Sequence, residues 1–332
     1  MADAVNPPAA VFARRRVLVT GGAGFLGSHL LRALAAAGAQ VHAIIRRPAA
    51  DARAGDGVEV HEVDLLNAAA LAGAVRAADP ECVFHLAAYG TTASQPDEAR
   101  MLAVNVIGTQ NLWGALEGRG CRFVQTGTCA EYGDIRGPIA ETQVCQPRFA
   151  YPASIHASVT WSQSRGFQTG REVVILRPFG PYGPDDRPER LIPSIIHRLV
   201  SGQRAPVSAG DQLRDYSYVS DHVRALLLAG SSKLPRPVAV YNVGTGRPIT
   251  VKALVETVAR EVGGDAPDRV DFGARPLGPH EPPEMYADAS SIARDLGYTA
   301  AVDLRDGLRR TIAAYRAHAL SGKPAAQQRA AP

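Results

Sequence analysis

The chain has 332 residues, of which 46% are hydrophobic, which suffices for one large α/β domain with a smaller lobe and excludes a disordered protein. Lysine and arginine number 36 against 32 aspartates and glutamates, and the basic excess is spread without a basic block. This pattern argues against a nucleic-acid partner, whereas an anionic small molecule remains compatible with it.

The two ends of the chain are expected to be flexible tails, residues 1–13 and 321–332. The first residues lack the charged and apolar regions of a secretory signal peptide, and no apolar run approaches ~18 residues. The cysteines form no C-x-x-C pair. We therefore expect a cytoplasmic protein with no membrane partner and no metal site.

The first predicted strand, Val17–Thr20, leads into a glycine-rich segment, TGGAGFLG (residues 20–27), and then directly into a helical pattern. In such a turn one glycine permits the tight bend, one lets the backbone approach a phosphate, and one lets helix and strand pack closely. The helix N-terminus adds unpaired N–H groups and a partial positive charge. This order of elements predicts a site for the pyrophosphate of NAD(H) or NADP(H).

Short β-branched runs alternate with helical patterns over the first half of the chain. The alternation predicts an α/β fold with a doubly wound parallel sheet of the Rossmann type, whose ligand lies beyond the carboxyl ends of the strands. The further predicted strands are Val41–Ile45, Val58–Val63, Cys82–Leu86, Arg122–Thr126 and Val173–Arg177, and the predicted helices are Leu30–Ala37, Ala68–Ala78 and residues 97–117.

Arg46 and Arg47 follow the second predicted strand, where NAD enzymes carry an acidic residue that binds the adenosine ribose. An arginine there favours the 2′-phosphate of NADP, so the sequence favours NADP(H), with NAD(H) as the alternative. The arginines could equally be two solvated loop cations.

Beyond Arg177 the pattern loosens into segments rich in proline and glycine, with helices predicted at Asp221–Ala229 and Thr250–Val262. We expect a dinucleotide-binding domain over residues 14–178, to which some later elements return. Residues 179–320 are expected to form mainly a smaller, C-terminal substrate-binding lobe.

Short motifs follow one another in a fixed order: TGGAGFLG (20–27), VDL (63–65), FHLAA (84–88), NVIGTQNL (105–112), TGT (126–128), EYG (131–133), YPAS (151–154), LRPF (176–179), PYGP (181–184), RDY (214–216), VSD (219–221) and YNVG (241–244). With these motifs, over about residues 15–318, the chain resembles the extended short-chain dehydrogenase/reductase family, in its nucleotide-sugar epimerase, dehydratase and reductase group. The resemblance implies a dinucleotide cofactor and a nucleotide-sugar substrate.

Hydride exchange at a sugar carbon requires a group that moves a proton to or from the oxygen, and a tyrosine whose pKa is lowered from ~10 can do this near neutral pH. Tyr151 is the candidate. The resemblance assigns Thr128 to the same oxygen and places Asn105 near the site. The alternatives are that Tyr151 only packs in the core, that the Thr128 hydroxyl caps the strand end and that Asn105 is an amide on the helix surface.

The resemblance also divides the remaining contacts between substrate and cofactor. Thr128, Arg214 and Arg275 are expected to bind the substrate. The cofactor is expected to contact Gly21, Gly24, Phe25, Leu26, Gly27, Arg46, Arg47, Asp64, Leu65, Leu86, Ala87, Ala88, Tyr151 and Pro178.

The family signature Tyr-x-x-x-Lys is broken, because Ile155 stands where the lysine binds the nicotinamide ribose and lowers the tyrosine pKa. An isoleucine can do neither, so we expect proton transfer to be impaired or carried by another group. His156 is adjacent but ~140° around the helix from Tyr151, so it can replace the lysine only with a local distortion.

A second departure follows Thr128, where dehydratases of this family carry an acidic pair or one glutamate. This chain has Cys129 and Ala130, and Glu131 comes one place later. We therefore expect an NAD(P)-dependent enzyme that reduces a 4-keto nucleotide sugar or epimerises C4, with reduction favoured by the arginine pair. The alternatives are a non-catalytic dinucleotide or nucleotide-sugar binding protein and a dehydratase.

The resemblance further implies a homodimer, because relatives pair through helices that here would cover residues 97–117 and 152–168. Trp113, Val159 and Trp161 are apolar enough to serve that interface, with core packing as the alternative.

Overall fold

The structure is a computed structural model that describes residues 10–46, 57–92, 94–278 and 281–320, with the backbone alone for 318–320. Its helices are α1 (Phe25–Ala36), α2 (Ala68–Ala78), α3 (Glu98–Leu102), α4 (Gly108–Ala115), α5 (Ala150–Thr169), α6 (Leu191–Val200), α7 (Val219–Ser231), α8 (Val251–Val262), α9 (Ser290–Leu296) and α10 (Leu304–Leu320). A π-helical turn, Ala103–Ile107, joins α3 to α4, and 3₁₀ turns occupy Cys129–Tyr132 and Ala266–Arg269.

The strands are β1 (Arg16–Thr20), β2 (Gln40–Ile45), β3 (Val58–Glu62), β4 (Cys82–His85), β5 (Arg122–Thr126), β6 (Pro138–Ile139), β7 (Val173–Pro178), β8 (Pro181–Tyr182), β9 (Ala205–Pro206), β10 (Leu213–Arg214), β11 (Ser217–Tyr218), β12 (Val238–Val243), β13 (Ile249–Thr250), β14 (Val270–Asp271) and β15 (Glu284–Ala287).

Seven strands form one parallel sheet in the order β12-β7-β5-β4-β1-β2-β3. The doubly wound parallel sheet expected from the alternating pattern is therefore confirmed. The strand order reverses between β1 and β4, and in such sheets the ligand crevice opens at that point, beyond the carboxyl ends of the strands.

Both faces of the inner strands of the sheet are buried, as the β-branched runs predict for strands covered by helices on each side, whereas the edge strand β3 is largely exposed. Neighbouring residues on one strand enter different cores: Val19 packs with Leu30 of α1, whereas Leu18 packs with Leu71 of α2. A third apolar cluster joins α6, α8 and α10 and contains Ile196 and Leu254. No helix among these described ranges has the length and apolar character needed to cross a membrane.

Two features differ from the sequence expectation. The strand β12 was not predicted, although it pairs with β7 from Val238↔Val173 to Val243↔Pro178 and completes the large sheet. The expected tail of residues 1–13 is wrong for residues 10–13, because Phe12 is fully buried and its ring lies 5.9 Å from that of Phe84. Residues 1–9 and 321–332 lie outside the described residues, and the division at residue 178 stays a prediction.

Candidate active site

The glycine-rich turn after β1 is packed so closely that its glycines have no room for side chains. Gly21 has φ +73°, and a Cβ there would lie 2.6 Å from the backbone nitrogen of Ala87. A Cβ on Gly27 would lie 2.2 Å from the carbonyl oxygen of Gly21. Gly24 caps α1 without a side-chain bond, and α1 begins at Phe25. The first N–H groups of α1 can therefore receive a phosphate, which fits a dinucleotide pyrophosphate.

Three buried side chains fix the ends of β1 and β4 behind this turn. Thr20 Oγ1 lies 2.6 Å from His85 Nδ1, and His85 Nε2 lies 2.9 Å from Thr109 Oγ1. The N–H of Ala87 donates to Thr20 Oγ1 at 3.3 Å. Burial lowers the pKa of His85 to about 4, so the ring is neutral near pH 7. This network holds the close approach of the two strand ends.

The expected adenosine contacts lie at the same edge of the sheet, after β2 and β3. Asp64 Oδ1 accepts from the N–H of Leu66 at 2.9 Å, and the carbonyl of Leu65 accepts from Asn111 Nδ2 at 2.9 Å. Arg46 is exposed directly after β2. Arg47 lies outside the described residues.

The remaining expected cofactor residues also follow strand ends or open a helix. They are Leu26 in α1, Leu86, Ala87 and Ala88 after β4, and Pro178 at the end of β7.

Tyr151 occupies the first turn of α5, and its phenol is held in the protonated state. Burial raises its pKa to about 12, and the positive charges of Arg190 and Arg187 act in the opposite direction. The phenol is therefore in the protonated form that a general acid requires, and formation of the phenolate that a general base requires needs a further positive charge. The role of Tyr151 as the proton carrier stays a prediction, with a packing tyrosine as its alternative.

Ile155 lies one turn further along α5 and is 4% exposed. It belongs to an apolar cluster with Val159 and Phe123, and the ring of Tyr151 packs against this cluster. The position of the family lysine is therefore part of the core in this chain.

Two cations that the sequence reasoning missed lie in the segment between β8 and α6. The guanidinium of Arg187 donates to Thr91 Oγ1, and Arg190 pairs with Asp186 at 3.8 Å. Both charges act on Tyr151. The only signal in the sequence was the basic pattern of residues 187–190, RPER, before the helical run of α6.

Thr128 ends the segment after β5 and caps the 3₁₀ turn that follows. Its Oγ1 accepts from the N–H of Ala130 at 3.3 Å, while its own N–H donates to Glu131 Oε1 at 2.8 Å. Thr128 therefore caps backbone, as the alternative to its role at the sugar oxygen had it, and Cys129 follows it directly in the chain. Burial raises the pKa of Cys129 to about 11, against the charges of Arg190 and Arg214. The charge of Arg190 thus acts on both Cys129 and Tyr151.

Glu131 is fully buried and fully engaged by its neighbours. Its Oε2 accepts from Arg177 Nε at 3.2 Å and Nη2 at 3.0 Å, and lies 3.0 Å from His156 Nδ1. Hydrogen bonds to Cys145 and Glu131 raise the pKa of His156 to about 9. His156 is therefore tied to Glu131 as a cation, and Glu131 is an ion-pair centre in the free protein.

Asn105 lies in the π-helical turn and is buried. Its Nδ2 donates to the carbonyl of Tyr89 at 2.9 Å and to Ser154 Oγ at 2.8 Å, and its Oδ1 accepts from the N–H of Tyr89 at 2.8 Å. The Asn105 amide thus joins Tyr89, in the segment after β4, to Ser154 of α5, which follows Tyr151 by three residues. The alternative of a surface amide is wrong.

The two expected substrate arginines occupy different settings. Arg214 Nη2 donates to Glu281 Oε1 at 2.8 Å, and its charge reaches Cys129. Arg275 is exposed, and its N–H bonds the carbonyl of Val207 at 3.1 Å.

The proposed interface helices carry both buried and exposed apolar residues. Trp113 is 2% exposed and donates from Nε1 to Ser162 Oγ at 3.0 Å, and Val159 is fully buried. The expectation that these two residues serve an interface is therefore wrong, because both pack in the core. Two other apolar residues of this region are exposed, Trp161 at 40% and Ile107 at 47%.

Comparison with known proteins shows the family to which this chain is similar. The model of the NAD dependent epimerase/dehydratase family matches residues 17–244. A dTDP-glucose 4,6-dehydratase of Actinoplanes sp. is 33% identical over 326 residues, covering 91% of this chain and 98% of that protein. A protein of the same name from Streptomyces griseus is 32% identical and covers 91% and 94%.

Solved structures share the fold over nearly the whole chain. UDP-glucose 4-epimerase of Thermotoga maritima with UDP-glucose has a TM-score of 0.84 at 26% identity and covers 91% of this chain and 99% of its own. DesIV, a dTDP-glucose 4,6-dehydratase of Streptomyces venezuelae with NAD and TYD bound, has a TM-score of 0.83 at 28% identity, with coverage of 93% and 99%. These neighbours do not support the expected preference for NADP(H), since DesIV holds NAD.

Proposed function

Because this chain belongs to the NAD dependent epimerase/dehydratase family, we propose that it is an enzyme that modifies a nucleotide-linked sugar by hydride transfer. Family membership bears out the resemblance drawn from the motifs. The named relatives act on dTDP-glucose or UDP-glucose, and the cations near Tyr151 suit the diphosphate of such a substrate.

The cofactor residues of this chain have defined tasks in the proposal. The N-terminus of α1 receives the pyrophosphate, Asp64 reaches the adenine, and the segment after β4 supports the nicotinamide half. When bound, the nicotinamide gives or takes the hydride.

Tyr151 acts on the sugar oxygen. Its phenol is protonated, so it is suited to give its proton to a carbonyl oxygen as that carbon gains a hydride. Thr128 orients the same oxygen. In the reverse direction the phenol would have to ionise, and Arg187 with Arg190 supplies part of the charge that a lysine at position 155 would provide.

The reaction that we propose is reduction of a 4-keto nucleotide sugar or epimerisation at C4. The observation that carries it is the combination of a protonated Tyr151 with two residues, Cys129 and Ala130, that offer no carboxylate beside it. Glu131 cannot replace them in the free protein, since Arg177 and His156 hold its carboxylate. Elimination of water needs a base on the carbon next to the ketone and an acid on the leaving hydroxyl.

A dehydratase is the second candidate, because the curated relatives at 33% and 32% identity carry that name. In that case Cys129 would stand where relatives place an acid, and its thiol, with a pKa near 11, is a weak acid and base near neutral pH. The third candidate function is a protein that binds a dinucleotide or a nucleotide sugar without turnover.

One incubation separates the candidates. The purified chain is given a 4-keto nucleotide sugar with NADH or NADPH, and in parallel a nucleotide hexose with NAD; the products are separated by chromatography, their mass is measured and their configuration at C4 is assigned by NMR. We expect a gain of two hydrogens in the first mixture, or an epimer of unchanged mass in the second. Loss of one water would establish the dehydratase, and binding without any product would establish the binding protein.

Cofactor choice is a separate proposal. NADP(H) preference now rests on Arg46 alone among the described residues, while DesIV holds NAD. Titration of both cofactors into wild type and Arg46→Ala decides it. Loss of a charge-assisted contact to a 2′-phosphate would lower NADP(H) affinity about tenfold or more and leave NAD(H) affinity unchanged. Equal affinities for both cofactors in the wild type would contradict the preference.

We also propose a homodimer through the π-helical turn that precedes α4, with its exposed Ile107, and the face of α5 that carries exposed Trp161. A double Asp variant at these positions should be monomeric by light scattering at micromolar concentration. Val144→Asp, at a position 72% exposed outside both helices, is the matched control. A monomeric wild type would contradict the proposal.

A further inference from the structure

Two groups of side chains in the described part of the chain bring three metal-ligating atoms within 4.8 Å of one another. One is Glu131, Cys145 and His156, where the guanidinium of Arg177 already donates twice to Glu131 Oε2, so the carboxylate has its cation. The other is formed by His42, Glu59 and His61. These residues lie on β2 and β3, the last two strands at one edge of the sheet, away from the site described above.

The strand register explains why these three residues meet. His42 lies opposite Glu59, and Ile44 lies opposite His61. Residues two apart on a strand point to the same face, so all three side chains share one face of the sheet. His42 precedes the end of β2 by three residues, which is ~10 Å along the strand, so the group is set back from the cofactor edge.

The distances match those of a coordination site. His42 Nδ1 and His61 Nε2 are 3.0 Å apart, and each lies 3.5 Å from a carboxylate oxygen of Glu59. In tetrahedral coordination with bonds of ~2.0–2.1 Å, neighbouring ligand atoms are separated by about 3.3 Å. His42 Nδ1 faces Glu59 Oε2 and His61 Nε2 faces Glu59 Oε1, so the nitrogen pair and each nitrogen–oxygen pair are close to this separation.

The surroundings suit an ion as well. The rings of His42 and His61 are stacked, with 5.3 Å between centroids, and their side chains are 12% and 13% exposed. In the hydrogen bond between the two rings, at 3.0 Å, one nitrogen acts as the acceptor and so presents a lone pair, which is what a metal ion requires of an imidazole. Glu59 is 61% exposed, so an ion can enter from solvent and keep a water as its fourth ligand.

We propose that His42, Glu59 and His61 form a binding site for a divalent cation of the zinc type. Two imidazoles and one carboxylate are ligands typical of Zn²⁺, and the ion would tie the edge strand β3 to β2. The site does not depend on the proposed catalytic function, because none of its residues belongs to the candidate active site.

Zn²⁺ titration of the tag-free full chain by calorimetry tests this proposal. We expect one Zn²⁺ per chain with a dissociation constant of about micromolar or tighter, and visible d–d absorption when Co²⁺ is added instead. His42→Gln and His61→Gln should each weaken binding about a hundredfold or more and remove the Co²⁺ bands. The exposed His197→Gln is the matched control and should bind as the wild type does.

Metal-free melting temperature and circular dichroism establish that each variant is folded. If a histidine variant fails to fold, Glu59→Gln decides, because this exposed residue can change without disturbing the core, and its loss should weaken Zn²⁺ binding at least about tenfold. Absence of Zn²⁺ binding by the wild type, or unchanged affinity in the folded variants, would overturn the proposal. Reductase or epimerase activity is not part of the readout, so the two proposals fail separately.

Discussion

Ile155 lies one helical turn beyond Tyr151 in α5, in a buried apolar cluster against which the partly buried ring of Tyr151 packs. Burial therefore acts on Tyr151 without the ammonium that the family signature would place beside it, and its pKa rises to about 12. The remaining positive charge comes from Arg187 and Arg190, which belong to another segment of the chain. This arrangement keeps the phenol in the protonated form that a general acid needs and disfavours the phenolate that a general base needs.

Ile155→Lys should raise the rate of hydride transfer by about tenfold to a hundredfold, because an ammonium one turn from Tyr151 favours the phenolate and can bond the nicotinamide ribose. The rate is followed by the absorbance of the reduced nicotinamide in the direction of sugar oxidation. Burying a lysine should lower the melting temperature at the same time. Ile155→Met is the control for side-chain length, and a folded lysine variant no faster than the methionine variant would refute the prediction.

Arg190→Met should slow sugar oxidation more than ketone reduction. The positive charge of Arg190 lowers the pKa of Tyr151, so its removal raises that pKa further and leaves less phenolate at a given pH. We expect oxidation at about pH 8 to fall threefold to tenfold, with a smaller change in reduction. Arg260→Met, at an exposed position on α8, serves as the control. Equal losses in both directions would show that Arg190 acts in binding alone.

Gly27→Ala should abolish dinucleotide binding. The new Cβ would lie 2.2 Å from the carbonyl oxygen of Gly21, so the turn or the start of α1 must move. Calorimetric titration should show at least about a hundredfold loss of affinity. Gly114→Ala, where a Cβ has open space in α4, should bind the cofactor normally. Normal binding by Gly27→Ala would mean that the dinucleotide does not use this turn.

The stability contributed by His156 should depend on pH. Its pKa is raised from 6.5 to about 9 in the folded state by its bonds to Cys145 and Glu131. The stabilisation is therefore fully present below about pH 6.5 and is lost as the pH rises through about 9. The melting temperatures of wild type and His156→Gln should differ most near pH 6 and converge toward pH 10. A difference independent of pH would contradict the ion pair.

Local patterns predicted much of the sheet because its strands are short, buried and rich in β-branched residues. The expected strand Arg122–Thr126 has these bounds in the structure, and Val173–Arg177 ends one residue early. Val238–Val243 was missed because it follows a proline-rich segment and is recruited to the sheet by pairing with β7, a contact between distant parts of the chain. Phe12 was missed for the same reason, since its partner Phe84 lies on β4.

The site was predictable where a motif carries its own geometry, as in the glycine turn and the first turn of α5. It was not predictable where a segment without periodicity folds back, as with Arg187 and Arg190. The direction in which a helix faces was also missed for Trp113, because an amphipathic pattern does not tell a core from an interface. The metal-ligating cluster was missed because it depends on the register of two strands.

The central claim is that Tyr151 gives a proton to the sugar oxygen, and the turnover of Tyr151→Phe beside the wild type tests it most directly. Both proteins receive a 4-keto nucleotide sugar with NADH or NADPH, and loss of reduced-nicotinamide absorbance is followed together with product mass. We predict that the wild type forms a product heavier by two hydrogens, and that Tyr151→Phe is slower by about a hundredfold or more with unchanged dinucleotide affinity. Equal turnover by the two proteins would contradict the claim.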